Sequence, residues 1–309
     1  MASVFGIAIG SNGTTLLSVA PDNRPRLSTN AGSSWSDIVY FSGSGVLIGC
    51  AVGSDNQTML IADPVLGILY MSLNGSTDWN VVPGPLSGDW PGICGVGIAG
   101  DNQTMVACCY GGRCYITHNR WSSYSEIRPK GDVDADWRCI AISANGLVIL
   151  VGENFTRLYL SKDGGVTDNW LETQPAGDTD QAWFGVAVGA DNETLMAGDS
   201  LGGGTLYRSI DIGDYWFVES IDPAYESFSA VALGGTALHA VTACDEGYGG
   251  GSHVYLGAYT APISPEPPGP PVFPVIDKFG IEGFYAPISV DEVEILPLPI
   301  TSDFVDIDE

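Results

Sequence analysis

The chain has 309 residues, 45% of them hydrophobic and 16% charged, with 41 glycines and 19 prolines, and its 37 acidic against 11 basic residues leave a net charge of −26. So few charges exclude a coiled coil, so many apolar and aromatic side chains argue against a disordered chain, and without a run of about 18 apolar residues nothing crosses a membrane as a helix. A chain this acidic repels nucleic-acid phosphates and anionic lipid, so protein, glycan or cation partners are expected, with no nucleic acid and no membrane insertion.

Met1-Ala2-Ser3-Val4 has no basic stretch and runs straight into a strand-like segment, so synthesis in the cytosol without a signal peptide is expected. One apolar pattern then recurs. Its copies are Gly6-Ile7-Ala8-Ile9, Gly49-Cys50-Ala51-Val52, Gly95-Val96-Gly97-Ile98, Cys139-Ile140-Ala141-Ile142, Gly185-Val186-Ala187-Val188 and Ala230-Val231-Ala232-Leu233, starting 43 to 46 residues apart. Polar turns such as Asp55-Asn56-Gln57-Thr58 and Asp101-Asn102-Gln103-Thr104 follow, with Asn and Asp able to take left-handed backbone and to bond their own main chain. A second apolar strand comes next, as in Met59-Leu60-Ile61-Ala62. A third is marked by a shared tyrosine, at Tyr70, Tyr115, Tyr159, Tyr207 and Tyr255, and five copies add a short fourth strand. Four hairpin-linked strands per repeat of roughly 45 residues, without helical periodicity, predict an all-β chain folded as a six-bladed β-propeller.

Seven cysteines, at positions 50, 94, 108, 109, 114, 139 and 244, sit mostly in apolar runs and show no CxxC pair. They read as buried free thiols in a reducing compartment, with no metal site and no cofactor expected.

The turn between the third and fourth strands is more specific. It reads Ser28-Thr29-Asn30-Ala31-Gly32-Ser33-Ser34-Trp35 in the first repeat, and Ser72-x-Asn74 to Trp79 in the second. Thr117-x-Asn119 to Tyr124 follows in the third, Ser161-x-Asp163-x-Gly165 with a longer step to Trp170 in the fourth, and Ser209-x-Asp211-x-Gly213-x-x-Trp216 in the fifth. These turns resemble the Asp-box, S-x-D-x-G-x-x-W, of bacterial-neuraminidase-repeat propellers, over about residues 5–260. The resemblance implies structural staples: the Asx side chain bonds the turn, Gly supplies positive φ, and the aromatic ring packs on the blade. The sixth repeat has neither box nor fourth strand, so its blade is expected to stay three-stranded or to be completed by the N-terminus or by the C-terminal segment.

Composition changes at Pro262. Residues 1–261 form the propeller, 262–271 a proline-rich linker and 272–309 an extended C-terminal arm, which is too short for its own core yet holds Phe273, Phe279, Phe284, Tyr285 and Phe304. Such an arm lies on a surface, either another protein subunit or its own propeller.

The family resemblance raises sialidase chemistry, but the F/Y-R-I-P motif is absent and eight arginines offer no clear carboxylate clamp, so sialidase activity and catalytic residues are not expected. Asp22, Asp63, Glu153, Asp199 and Asp245 stand at or just past the end of the second strands, with Tyr110 near the same place, and Trp90, Trp137 and Trp183 precede first strands. Together they could make an acidic, aromatic-rimmed face opposite the boxes that binds sugar or cation. Alternatively, the carboxylates merely end solvated strands and the tryptophans pack between blades. The expected role is a non-enzymatic interaction or structural module, a decoration or tail-associated protein displayed on a phage or viral particle and docked through residues 272–309. The alternative is a glycan-binding or glycoside-hydrolase-type Asp-box propeller, meeting surface glycans. Photosystem-associated assembly factors with Asp boxes are a third class, marked by export signals and basic patches not evident here.

Overall fold

The computed structural model describes residues 5–20, 24–38, 46–85, 88–166, 169–200, 204–219, 227–234, 239–245, 252–258 and 287–289, the last three segments as backbone only. Among the described residues there is no helix, and every strand pair is antiparallel. The first set of strands is β1 (Gly6–Ile9), β2 (Leu16–Val19), β3 (Arg26–Ser28) and β4 (Ser36–Asp37). The second is β5 (Gly49–Val52), β6 (Met59–Asp63), β7 (Ile68–Ser72) and β8 (Asn80–Val82), and the third is β9 (Ile93–Ile98), β10 (Met105–Gly112), β11 (Cys114–Thr117) and β12 (Ser125–Ile127). The fourth is β13 (Ala135–Ile142), β14 (Ile149–Glu153), β15 (Leu158–Ser161) and β16 (Leu171–Thr173). The fifth is β17 (Trp183–Val188), β18 (Leu195–Asp199), β19 (Leu206–Ser209) and β20 (Phe217–Glu219), and the last is β21 (Ser227–Leu233), β22 (His239–Asp245), β23 (Ser252–Ala258) and β24 (Pro287–Ser289).

Within each set the strands pair in chain order. The first strands stand side by side around an axis: β1 lies against β5, β5 against β9, β9 against β13, β13 against β17, β17 against β21, and β21 against β1. This closed circle of radial sheets is a β-propeller. Its core is a series of layers between neighbouring sets rather than one centre. Leu17 and Val19 meet Leu47, Met59 and Ile61 in one layer, and Leu60, Ala62 and Leu69 meet Trp90, Ile93 and Met105 in the next. Cys139, Leu150 and Leu158 meet Trp183, Val186 and Leu195 in a third. This explains the near-continuous apolar character of the first two strands, which are covered on both faces, while outer strands such as β8 and β20 expose Val81 and Val218. Each buried Leu or Ile contributes about 1.5–3 kcal/mol.

The inner strands approach closely enough to demand glycine. A Cβ on Gly49 would sit 2.3 Å from the Cys94 carbonyl oxygen, and one on Gly185 would sit 2.7 Å from the Val231 nitrogen.

At one end of the axis the chain turns from each first strand to the second. Asp55 Oδ1 accepts from the Gln57 and Thr58 N–H groups (2.9 and 2.7 Å), and Asp101 does the same with Gln103 and Thr104 (2.8 and 2.7 Å). Asn56, Asn102 and Asn192 take φ of 56°, 54° and 65°. Their side chains reach across to the preceding set, as where Asn145 N–H donates to Asn192 Oδ1 (2.9 Å).

The third-to-fourth-strand turns lie at the same end and repeat one geometry. The N–H groups of Gly32, Ser76, Trp121, Gly165 and Gly213 donate to Ser28, Ser72, Thr117, Ser161 and Ser209 respectively, at 2.7 to 3.1 Å. Asn30, Asn74, Asn119 and Asp211 each accept a second N–H four residues on. Trp79, Trp170 and Trp216 are half-buried against the layer shared with the preceding set, and Trp216 Nε1 donates to Thr173 Oγ1 (2.8 Å). In the third set Trp121 replaces the glycine with φ of 63° and buries its ring 5.0 Å from that of Trp90.

The outer place of the last set is filled by the C-terminal segment: β24 pairs with β23 in the register His253↔Ser289, Val254↔Ile288, Tyr255↔Pro287. Of the three closures open from sequence, this is the third. The rest of the arm lies outside the described residues.

Candidate functional site

The end of the axis opposite those turns carries the residues singled out from sequence. The register places Trp137 beside Glu153, Trp183 beside Asp199 and Ser227 beside Asp245. The side chains do not form an open acidic face. Trp90, Trp137 and Trp183 are fully buried between sets, edge-on to Tyr115, Tyr159 and Tyr207 at 5.5, 5.7 and 5.7 Å. Asp63 is buried, with Oδ1 accepting from the N–H groups of Val65 (3.1 Å) and Leu66 (2.9 Å). Buried Glu153 is held by Lys130 Nζ (3.0 Å) and by the Thr156 hydroxyl (2.7 Å). Asp199 is buried and accepts from Thr205 N–H (3.2 Å). The physical reason is local: second strands end inside the layer, so their terminal carboxylates seal the following turn instead of meeting solvent. Asp22 lies outside the described residues, and of Asp245 only the backbone is described.

These carboxylates instead face the third-strand tyrosines. Burial, then Asp63, raises the Tyr70 pKa; burial, then Glu153, raises that of Tyr159 to about 12; burial raises that of Tyr207, with Asp199 adding to it. Six further carboxylates at this end are matched by two arginines. Arg113 meets Asp134, Asp132 and Glu126, and Arg157 meets Asp178, Asp180 and Glu172. The segments Pro129-Lys130-Gly131-Asp132-Val133-Asp134 and Pro175-Ala176-Gly177-Asp178-Thr179-Asp180 carry this pairing in both sets, a repeated signal not read from the sequence.

Among the expected residues whose side chains are described, Tyr110 alone borders an open site. β10 runs on past its partner and pairs with β13, Tyr110 opposite Asp136 and Gly112 opposite Ala135, which joins two sets into one sheet. The extension brings the half-exposed Tyr110 ring under Arg138, whose guanidinium carbon lies 4.5 Å from the ring centroid and 5.4 Å from that of Phe184.

Arg138 borders a cavity of ≈ 420 Å³ on the axis, lined by residues in or just before all six first strands and by Ser200 after β18. Phe5, Ile48, Cys94, Phe184 and Phe228 surround it, and no carboxylate is among the described lining residues. Arg138 Nε is buried without a hydrogen-bond partner, and the guanidinium has no ion pair among the described residues. Sequence reading passed over Arg138. The available signal was its place in Trp137-Arg138-Cys139, where the next repeat has Trp183-Phe184-Gly185. The pKa values of the cavity thiols are raised, Cys94 by a hydrogen bond with Cys108 and by burial, Cys50 and Cys139 by burial, which disfavours the nucleophilic thiolate. What this arrangement offers is an apolar receptacle with one cation at its wall.

No protein-family model matches the chain, and no curated protein sequence does. Solved structures do resemble it. An ancestral GH74 enzyme superposes with a TM-score of 0.57 at 15% identity, over 84% of this chain and 37% of that one. The GH74 enzyme of Niastella koreensis gives 0.58 at 14%, over 82% and 45%, so this chain spans less than half the length of either enzyme. YCF48 bound to a D1 peptide gives 0.55 at 13% identity, over 86% of this chain and 80% of that one. At these identities the likeness is one of fold, the β-propeller.

Proposed function

We propose that the chain is a non-enzymatic interaction module that receives its ligand at the axial cavity, on the side facing away from turns that we read as Asp boxes. The observation that carries this reading is the lining of the cavity: mostly apolar side chains, with Ser200 and Arg138, and no carboxylate among the described lining residues. Glycoside hydrolysis needs two carboxyl groups facing each other across about 5–9 Å. Asp63, Glu153 and Asp199, the carboxylates of this end expected from sequence, are buried in contacts with their own turns or with Lys130. The peptide held by YCF48 lends the reading weight, since that propeller has the same fold. Glycan binding is the second reading, favoured by half-exposed Tyr110 beside the cavity, a ring on which a sugar face could stack.

The proposed setting is a phage or viral particle, with the chain as a decoration or tail-associated subunit attached through its arm. Free, buried thiols suit assembly in a reducing cytosol, and the apolar anchors of residues 272–309 suit docking on a neighbouring subunit. Because β24 belongs to the last sheet, the informative truncation follows residue 289 rather than residue 261. The chain lacking residues 290–309 is expected to fold as before and to be lost from particles, with no release of reducing sugar by either form. Incorporation at the full-length level would contradict the attachment, and sugar release would contradict the non-enzymatic reading.

A further inference from the structure

We propose that Arg138 makes the axial cavity a site for a single carboxylate carried on an apolar body. This rests on the reading of the cavity as a binding site and adds the chemistry of what it holds.

Arg138 is set apart from the other arginines of the ring. Arg26, Arg113, Arg128, Arg157 and Arg208 each meet one or more carboxylates and Arg120 Nε donates to the Asn102 carbonyl oxygen, whereas Arg138 meets two aromatic faces, and its Nε has no acceptor. In a chain of net charge −26, a guanidinium without an ion pair to any described carboxylate at the wall of a largely apolar cavity is unusual, since leaving a buried N–H unmade costs about 1–3 kcal/mol. Tyr110 and Phe184, with ring centroids 4.5 and 5.4 Å from the guanidinium carbon, offset part of that cost.

The ligand chemistry follows from charge and shape. Among the described lining residues Arg138 is the one charged group, so it balances one negative charge. A phosphate dianion would bring a second charge with no partner into surroundings of Phe5, Ile48, Phe184 and Phe228, whereas a monoanionic carboxylate matches the planar fork in a bidentate pair. The apolar wall then favours a hydrocarbon or aromatic body over a hydroxylated one, and ≈ 420 Å³ suits a group of a few side chains' size. The carboxylate could belong to a small aryl or alkyl acid or to the end of a peptide with apolar last residues.

The test is calorimetric titration of the full chain with two probes, 3-phenylpropionate and a tetrapeptide ending in two leucines, each compared with its carboxamide. At least one acid is expected to bind saturably, its amide at least about tenfold more weakly, and Arg138→Met is expected to erase that preference. Whichever acid binds identifies the source. Arg138→Lys retains the charge without the fork and is expected to bind the acid several-fold more weakly while still preferring it to the amide. It carries the test should the Met variant fail to fold. Equal binding of acid and amide, unaltered acid binding by Arg138→Met, or no binding of either probe would overturn the proposal. Ligand recovered unchanged alongside such a failure leaves the non-enzymatic reading in place, whereas chemically altered ligand would overturn that reading separately.

Discussion

The five third-to-fourth-strand turns differ most at the position that their geometry constrains hardest. Gly32, Gly165 and Gly213 hold φ of 80°, 79° and 79°, but the second turn places Ser76 there at 75°. A non-glycine residue in the left-handed region is disfavoured by about 1–2 kcal/mol, partly offset by the backbone entropy glycine loses. Ser76→Gly is therefore expected to raise stability by up to about 1 kcal/mol in chemical denaturation, and a loss of stability would mean that the Ser76 side chain makes a contact worth more than the strain. The same substitution at Trp121 should behave oppositely, because that ring is anchored on Trp90. Tyrosine and thiol burial set a pH limit. Burial raises the pKa of Tyr115 and Tyr159 to about 12 and that of Cys109 to about 12, from ordinary values of 10.0 and 9.0. Such groups hold their protons more tightly when folded, so their contribution is complete below the unfolded pKa and is lost as pH climbs to the folded one. Thermal stability should fall from about pH 9 and steeply between about 10 and 12; a melting temperature level to pH 12 would contradict the burial of these side chains.

At the scale of the strand, close approach of neighbouring first strands decides what each position tolerates. The Gly185 Cβ position is 2.7 Å from backbone of the next strand, which cannot rotate away as a side chain could. Gly185→Ala is expected to cost about 1–3 kcal/mol in equilibrium unfolding, while alanine at Gly13, where nothing lies within 4 Å, answers only to its φ of 69°. An effect at Gly185 no larger than at Gly13 would show the strands to be farther apart. The first strands, their hairpin turns and the tyrosine strands were legible from sequence because each has a local cause: apolar runs, Asx side chains that bond their own main chain, and aromatic residues at one register. The pairing of β10 with β13 was not, since it depends on how far one sheet splays toward the next. The insertion of β24 beside β23 could be named only as one of three closures, because Pro287-Ile288-Ser289 carries no signal that distinguishes it from the rest of the arm.

For the whole molecule, the spacing of repeats carried the fold into view, and radial placement decided the site. Carboxylates that end second strands are aligned in sequence, yet the ring turns them into separate layers, where Asp63, Glu153 and Asp199 each serve a different sheet. Among the described residues the cavity on the axis is lined by residues in or just before the first strands together with Ser200, and among these Arg138 is the one cation. Its place on the axis was illegible beforehand because an arginine in an apolar run has no distinguishing signature until the first strands are brought around it. The claim that this axis is the recognition site is tested most directly by a crystal structure of the full chain grown with 3-phenylpropionate. The expected electron density places both carboxylate oxygens at about 2.7–2.9 Å from the Arg138 guanidinium, with the phenyl ring against Phe184. Density at another surface, or an axial cavity holding only water beside an unengaged Arg138, would contradict it.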